Sequence, residues 1–224
     1  MTKREAVKKL LRLADQQVGY CADQNKCNKY AKYFDTEYPG FYNGKKNCFD
    51  WCDIFVDWLF VQSFGMDKGR RMLYQPEKSC GAGCSWSAFY YRSGKALYQS
   101  PEVGDQIFFC EGTDIYHTGI VEKIENNRVY TIEGNTGYKP LGKVQRFNYN
   151  ISNPAIYGYG RPDWEFIIDK PTVDEAKLDR VVERVRQRVE GVILGNYGVN
   201  PRRRELLGEY YDAVQFIVNK YYKE

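Results

Sequence analysis

The stretch NCFDWCDIFVDWLF, residues 47–60, joins two cysteines to a run of apolar and aromatic residues. The apolar positions along and just after this run are Ile54, Phe55, Trp58, Leu59 and Val61. At 3.6 residues per turn they form a surface that is too wide for the single stripe of a solvent-facing helix. We therefore predict a buried central helix over about Trp51 to Ser63, capped by Asp50 or its neighbour, with Cys52 at its beginning.

Elements of two kinds flank this helix. The spacing of apolar residues predicts a helix over Glu5 to Gln17 and a short helix within residues 25–35, whereas residues 65–100 have an irregular pattern. From Pro101 onward, short runs separated by Gly, Asn and Asp predict an antiparallel sheet. These runs are DQIFFC, HTGIVEKI and RVYTIEGN, and PAIYGYGRPDW closes the region. This pattern indicates an α+β fold with helices packed on the sheet.

The last quarter of the chain is predicted to be helical. Pro171 precedes an acidic helix start, so we interpret residues 166–173 as a linker. Helices follow over 174–193, over 201–207 and through YYDAVQFIVNKYY, with a break at GNYGVNP. We therefore predict a first domain over residues 1–165 and a small three-helix domain over residues 174–224.

Net charge and hydropathy indicate whether the protein binds nucleic acid or inserts into a membrane. The net charge of +4, from 33 basic and 29 acidic side chains, is too mild to indicate a nucleic-acid partner. No run approaches the roughly 18 apolar residues of a membrane span, and residues 1–17 lack the apolar centre of a signal peptide. We expect a soluble protein made in the cytosol, without membrane insertion, and the sequence gives no oligomeric state.

The seven cysteines form an odd set, so at least one thiol is free. Cys48 with Cys52 and Cys80 with Cys84 have CxxxC spacings that a four-thiolate zinc site could use. Structural zinc sites more often have two-residue spacers, and the aromatic segment CFDWC differs from such a site. We therefore expect free, mostly buried thiols and no metal.

His117 is the one histidine in the sequence, so any mechanism that needs an imidazole must use it. If the predicted hairpin has a loop over residues 125–127, the two residue numbers of each cross-strand pair sum to 252. Ile120 then lies opposite Ile132 on a buried face. The other face then places His117 opposite Asn135 and Gly119 opposite Glu133. An imidazole, a carboxylate and an amide would share one patch.

An imidazole oriented by a carboxylate or amide is half of a cysteine-hydrolase site, and the other half is a thiol with a lowered pKa. A helix N-terminus favours a thiolate and offers free backbone N–H groups. Cys52 has this position in the predicted helix, whereas Cys48 lies one turn earlier and would pack beside the site. None of the other five cysteines is predicted to begin a strongly apolar helix.

These residues resemble the CHAP domain, the cysteine, histidine-dependent amidohydrolase/peptidase branch of the papain-like NlpC-type fold. WCDIFVDW is similar to its nucleophile motif, and PEVGDQIFF, HTGIVEKI, YTIEGNT and YGYGRPDW follow in the family's order. The resemblance covers roughly residues 1–165. It implies a peptidoglycan amide hydrolase with Cys52 as nucleophile, His117 as general base and then acid, and Glu133 and Asn135 orienting the imidazole. The calcium of some members is not implied here, because residues 35–47 lack closely spaced aspartates.

The tail has a resemblance of its own. VILGNYGVNPRRRELL followed by YYDAVQFIVNKYY is similar to the three-helix cell-wall-binding repeat at the C-termini of some phage lysins. The alignment implies that Arg203 and Gln215 contact the muropeptide, although Pro201 departs from the usual pattern.

Together the two resemblances imply a phage endolysin that accumulates in the host cytoplasm and reaches the wall through a holin-opened membrane. Two alternatives remain open at this point. One is a host or mobile-element hydrolase acting on the same wall, and the other is a catalytically silent wall-binding module.

Overall fold

The computed structural model describes residues 1–137, 142–168 and 175–222. The chain divides into two compact units, Met1–Asp169 and Lys170–Glu224. The predicted linker over residues 166–173 lies partly outside the described residues.

Five helices lie in the described part of the first unit. Their bounds are α1 Lys3–Asp15, α2 Lys29–Glu37, α3 Cys52–Phe64, α4 Met66–Met72 and α5 Cys84–Ser93. A 3-10 turn at Trp164–Phe166 follows the sheet. α1 starts with a capping box in which Thr2 accepts from the Glu5 backbone while the Glu5 carboxylate accepts from Thr2. The predicted helices near residues 5–17 and 25–35 are therefore confirmed, α1 with its ends two residues earlier.

Helix α3 is the central helix that its sequence predicts, since ten of its 13 residues are buried. Its N-cap is Trp51, the neighbour of Asp50, as the sequence predicts, but there is no side-chain capping bond. The indole of Trp51 is fully buried instead and packs against Tyr30 and Phe55. Aromatic packing, in place of a side-chain cap, thus fixes the helix start that carries Cys52.

The segment 65–100, expected to be irregular, contains α4, α5 and a short strand. α4 packs closely on α3, since a Cβ added to Gly69 would lie 2.9 Å from the backbone of Phe60. The two helices are only seven and ten residues long, and α4 has a glycine in its middle. Their stability depends on tertiary packing, which explains why the local pattern did not predict them.

The sheet has six strands in the order β1-β6-β2-β3-β4-β5, and the pairs are antiparallel. The bounds are β1 Leu97–Tyr98, β2 Gln106–Glu111, β3 Asp114–Glu125, β4 Arg128–Thr136, β5 Lys143–Asn150 and β6 Ile156–Gly160. The three predicted strand runs are β2, β3 and β4, and the closing run contains β6. β5 was not predicted, because along KVQRFNYN only Val144 is fully buried and the other positions face outward or are half-buried.

The β3–β4 hairpin has the predicted register next to the site, but its loop is not the predicted one. Glu125 pairs with Arg128, so the loop is the two residues Asn126 and Asn127, both with positive φ, as in a tight hairpin turn. A bulge between Val121 and Lys123 then shifts the ladder by one position. Ile120 consequently still pairs with Ile132, as the sum of 252 requires.

The sheet separates two apolar clusters in this unit. The larger cluster contains α1, α2, α3, α5 and one side of the strands, including Phe108, Ile120 and Ile132. The smaller cluster includes Ile107, Phe109, Val121, Val129 and Tyr159. β4 approaches α3 closely, because a Cβ on Gly134 would lie 2.7 Å from the Cβ of Phe55. The prediction of an α+β fold with helices packed on an antiparallel sheet is confirmed.

Cys27 and Cys48 form a disulfide. The expectation that Cys48 is a free thiol was therefore wrong. The two residues are 21 positions apart, but the loop before Cys52 folds back onto the start of α2. Near the end of α2, Asp35 accepts from the backbone N–H of Lys46 and Asn47, each at 2.9 Å, and at the start of α2 the side chain of Asn47 accepts from the backbone N–H of Asn28. Of the free cysteines, Cys52, Cys80 and Cys84 are buried, Cys110 is half-buried and Cys21 is exposed.

The second unit contains α6 Glu175–Ile193, α7 Arg202–Leu207, a 3-10 turn at Gly208–Tyr210 and α8 Tyr211–Tyr221. Its small core consists of Val189, Val192, Leu207 and Val214. The three predicted helices and the break between them are confirmed. Within the described residues, no helix has both the length and the apolar character needed to cross a membrane.

Candidate active site

The sulfur of Cys52 lies at the first residue of α3, in a buried position with 6% of the residue exposed. The first turn of a helix has backbone N–H groups without intrahelical acceptors and carries a partial positive charge. Both features favour a thiolate over a thiol at this position. The predicted placement of Cys52 at the start of the central helix is confirmed.

His117 on β3 interacts with this thiol and forms a polar pair with Glu133 on β4. Nε2 of His117 lies 2.8 Å from Oε2 of Glu133, and their side chains are 18% and 2% exposed. Because Nε2 is engaged by the carboxylate, Nδ1 is the ring nitrogen left for the thiol. The structure therefore brings together the imidazole and the carboxylate that the hairpin register predicts.

The carboxylate of Glu133 is held on several sides. Oε1 accepts from the hydroxyl of Thr131, and Oε2 also accepts from the hydroxyl of Tyr149 at 3.4 Å. A Cβ added to Gly119, opposite on β3, would lie 2.4 Å from Cγ of Glu133. The absence of a side chain at Gly119 thus leaves the space that Glu133 occupies.

The electrostatic environment favours a thiolate–imidazolium pair. The contact between the sulfurs of Cys84 and Cys52 and the imidazole of His117 lower the pKa of Cys52 to about 5, although burial opposes the charge. Burial also opposes a charge on His117, but Cys52 and Glu133 outweigh it and raise the pKa of the imidazole to about 10. Near neutral pH the sulfur is then negative and the ring positive.

Asn135 has a different partner from the expected one. It has φ +56°, and the β4–β5 register shifts between Glu133 and Thr136. Its amide Nδ2 donates to Oδ1 of Asp50 at 3.2 Å, in the loop before α3. This left-handed position interrupts the strand alternation on which the expected contact with His117 depended, and Glu133 is the partner that the structure gives the imidazole.

Two residues of this region were missed by the sequence reasoning. Sγ of Cys84 lies 3.8 Å from Sγ of Cys52, and Cys84 begins helix α5. Cys84 was expected to lie in an irregular segment, so its position at a helix start was not predicted. Asp53, next to Cys52, is 2% exposed. Its carboxylate accepts hydrogen bonds from the backbone N–H of Gly83, just before α5, and from the hydroxyl of Ser87 within α5. A buried acid inside an otherwise apolar helix start is the signal that could have indicated this link.

The described residues contain no group of three or more His, Cys, Asp or Glu side chains arranged to hold a metal ion. Cys48 cannot be a ligand of a four-thiolate zinc site, because its sulfur is bonded to Cys27.

In the second unit, the two residues expected to bind the wall are neighbours. Nη1 of Arg203 lies 3.5 Å from Oε1 of Gln215 on α8, and Nε of Arg203 donates to the carbonyl of Gly198 at 2.8 Å. Nε2 of Gln215 donates to Asn219 at 2.8 Å. The guanidinium and the amide are therefore held in fixed orientations on one half-buried patch.

A helix N-terminal cysteine, a histidine on the neighbouring sheet and a carboxylate behind that histidine define the class of cysteine- and histidine-dependent hydrolases. Comparison with family models agrees with this class, since residues 41–135 match the CHAP domain. The matched segment contains Cys52, His117, Glu133 and Asn135, and it supports a peptidoglycan hydrolase of the amidohydrolase/peptidase type. Comparisons with curated proteins and with solved structures give no match.

Proposed function

We propose that the protein cleaves an amide bond of bacterial peptidoglycan, as an N-acetylmuramoyl-L-alanine amidase or a peptide endopeptidase. The observation that carries this proposal is the part-buried His117–Glu133 pair, with 2.8 Å between Nε2 and Oε2, whose imidazole interacts with the thiol at the start of α3. The CHAP match over residues 41–135 supplies the substrate class.

Acylation begins with the Cys52 thiolate, whose sulfur attacks the carbonyl carbon of a wall amide. The oxyanion that forms needs hydrogen-bond donors, and the backbone N–H of Cys52 is our candidate, since the first turn of α3 leaves this group free. His117 then donates its proton to the leaving amine, and the C–N bond breaks. Glu133 stabilises the imidazolium until that transfer.

Deacylation reverses the role of the ring. The neutral imidazole accepts a proton from water, whose oxygen attacks the thioester carbonyl of the acyl-enzyme. The C–S bond breaks, the carboxylic acid product leaves, and the thiolate and imidazolium are restored. Glu133 keeps the ring in one orientation through both steps, which a buried, multiply bonded carboxylate does without reorganisation.

The helical unit is proposed to bind the wall through Arg203 and Gln215. A catalytic domain joined to a wall-binding unit favours an endolysin, which accumulates in the cytoplasm of a phage host and reaches the wall when a holin opens the membrane. This part of the proposal rests on the resemblance of the tail and on the fixed Arg203–Gln215 pair.

The decisive test replaces Cys52 by serine and follows the turbidity of Gram-positive cells and of purified walls. Cys52→Ser is expected to abolish lysis, because a serine hydroxyl at this position is not ionised near neutral pH. Cys21→Ser is the matched control, since Cys21 is an exposed free thiol. Persistence of lysis in the Cys52 variant would overturn the mechanism.

A digest of purified peptidoglycan identifies the bond. Mass spectrometry distinguishes release of an intact stem peptide from muramic acid, expected of an amidase, from cleavage within the stem or bridge, expected of an endopeptidase. A reducing sugar end without any new amine would contradict both activities.

A further inference from the structure

The thiols of Cys52 and Cys84 meet at the beginnings of two helices. Their sulfurs are 3.8 Å apart, and both residues are buried, with 6% and 7% exposed. This separation is within the range of a hydrogen bond between a thiol and a thiolate. The contact joins two segments that are 32 residues apart in the chain.

Asp53 fixes the start of α5 beside the start of α3. Its carboxylate accepts from the backbone N–H of Gly83 and the hydroxyl of Ser87, both at 2.9 Å, and from the amide of Gln106 at 3.0 Å. Gly83 directly precedes Cys84 in the chain, and Asp53 directly follows Cys52. The same carboxylate therefore sets the positions of both cysteines.

A second bond joins the start of α5 to the strand that carries the histidine. The hydroxyl of Ser85 donates to the backbone carbonyl of Ile115 at 3.1 Å, two residues before His117. Cys84 thus lies between anchors to α3 and to β3, so its sulfur is held in place by the fold.

The two cysteines differ in protonation state. His117 and the first turn of α3 favour the charged form of Cys52, whereas the neighbouring thiolate and burial hold the pKa of Cys84 well above its usual range. Cys84 therefore remains an S–H group when Cys52 is charged. An S–H group is a weak donor to neutral acceptors, but a charged acceptor strengthens a hydrogen bond.

We propose that Cys84 is a positioning residue that donates a hydrogen bond from its thiol to the thiolate of Cys52. The bond stabilises the resting nucleophile and directs its lone pairs, and it weakens when the sulfur loses its charge on attacking a carbonyl. No proton is transferred to Cys52 in this arrangement. The inference rests on the proposed function of Cys52, which it deepens by naming the group that maintains the thiolate.

The experiment measures the rate at which iodoacetamide alkylates Cys52 as a function of pH, in the full chain. Peptide mass spectrometry assigns the modification to Cys52, and degassed buffer keeps the thiols reduced. Four proteins are compared: the parent, Cys84→Ala, Cys84→Ser and Cys80→Ala. Cys80 is a matched control, because it is a buried free thiol whose sulfur contacts Gly81 and Tyr90.

Loss of one hydrogen bond to a charged group is expected to move the alkylation midpoint of Cys84→Ala upward by about one pH unit. Cys84→Ser retains a donor and is expected to titrate within a few tenths of a unit of the parent, as is Cys80→Ala. A parental midpoint in Cys84→Ala, or the same shift in all three variants, would overturn the proposal. If Cys84→Ala does not fold, Cys84→Val removes the donor while filling the volume, and the same outcomes apply.

Wall hydrolysis is measured in parallel, so that the two proposals can fail separately. A parent that does not cleave wall would refute the proposed function, yet the midpoints would still decide whether Cys84 stabilises the thiolate. Active protein with unchanged midpoints would refute only the role of Cys84.

Discussion

Glu133 on β4 accepts a hydrogen bond from Nε2 of His117 on β3, with 2.8 Å between the two atoms and only 2% of the carboxylate side chain exposed. Because solvent contacts this carboxylate so little, its charge is stabilised by its hydrogen-bond partners. These partners are the imidazole of His117 and the hydroxyls of Thr131 and Tyr149. Removing the charge therefore acts directly on the protonated ring.

Replacement of Glu133 by glutamine is expected to lower the rate of wall hydrolysis about 10²-fold or more, since a neutral amide neither stabilises the imidazolium nor fixes its tautomer. Tyr149→Phe is the matched control, because it removes only the 3.4 Å bond to the same carboxylate, and it is expected to keep the rate within about threefold. Initial rates on purified wall, with thermal unfolding of each variant, measure both effects. Equal losses in the two variants would contradict a specific role for the charge.

The pH dependence of hydrolysis is expected to be bell-shaped and broad. Below a pKa of about 5 the Cys52 thiolate is protonated and the nucleophile is lost. Above a pKa of about 10 His117 loses the proton that the leaving amine needs. The kcat/KM of a soluble wall fragment is therefore expected to rise through the first value and fall through the second, as macroscopic constants of the coupled pair. A single rise near pH 6.5, typical of an isolated histidine, would contradict the ion pair.

The disulfide between Cys27 and Cys48 gives a prediction about stability that is separate from catalysis. It closes a loop of about 20 residues, so its loss is expected to lower the free energy of unfolding by roughly 2–4 kcal/mol. Cys48→Ser is accordingly expected to unfold at a lower urea concentration under non-reducing conditions while retaining most wall hydrolysis. Cys21→Ser, at an exposed free thiol, is expected to unfold like the parent. Loss of hydrolysis in a folded Cys48→Ser protein would show that Cys48 has a part in the site.

The imidazole and its carboxylate could be predicted from the sequence, because strand alternation and Ile120 opposite Ile132 place His117 and Glu133 on one face. The expected loop was one residue too long, and the bulge near Val121 compensated for it. Asn135 could not be predicted in the same way, since its left-handed backbone breaks the alternation.

The contacts that the sequence did not reveal are those between distant segments. The Cys27–Cys48 bond needs the loop before α3 to fold back on α2, and the Cys84 contact needs α5 to be held by Asp53. Both depend on hydrogen bonds to backbone groups of loops, which leave no periodic signal. Helix periodicity could therefore locate Cys52, the proposed nucleophile, but not its thiol neighbour.

Wall binding by the helical unit is expected to depend on Arg203 more than on the charge of its neighbours. Its guanidinium is oriented by the carbonyl of Gly198 and by Gln215, so it can present its remaining N–H groups to a muropeptide carboxylate without losing much side-chain freedom. Arg203→Ala is expected to weaken sedimentation with purified wall roughly tenfold, whereas Arg202→Ala, an equal loss of charge at an exposed position, is expected to weaken it much less. The measurement is best made with Cys52→Ser as the common background, so that the wall stays intact, and a chain ending at residue 168 gives the level of binding without the helical unit. Equal weakening by Arg202→Ala and Arg203→Ala would indicate general charge attraction to the wall in place of a specific contact.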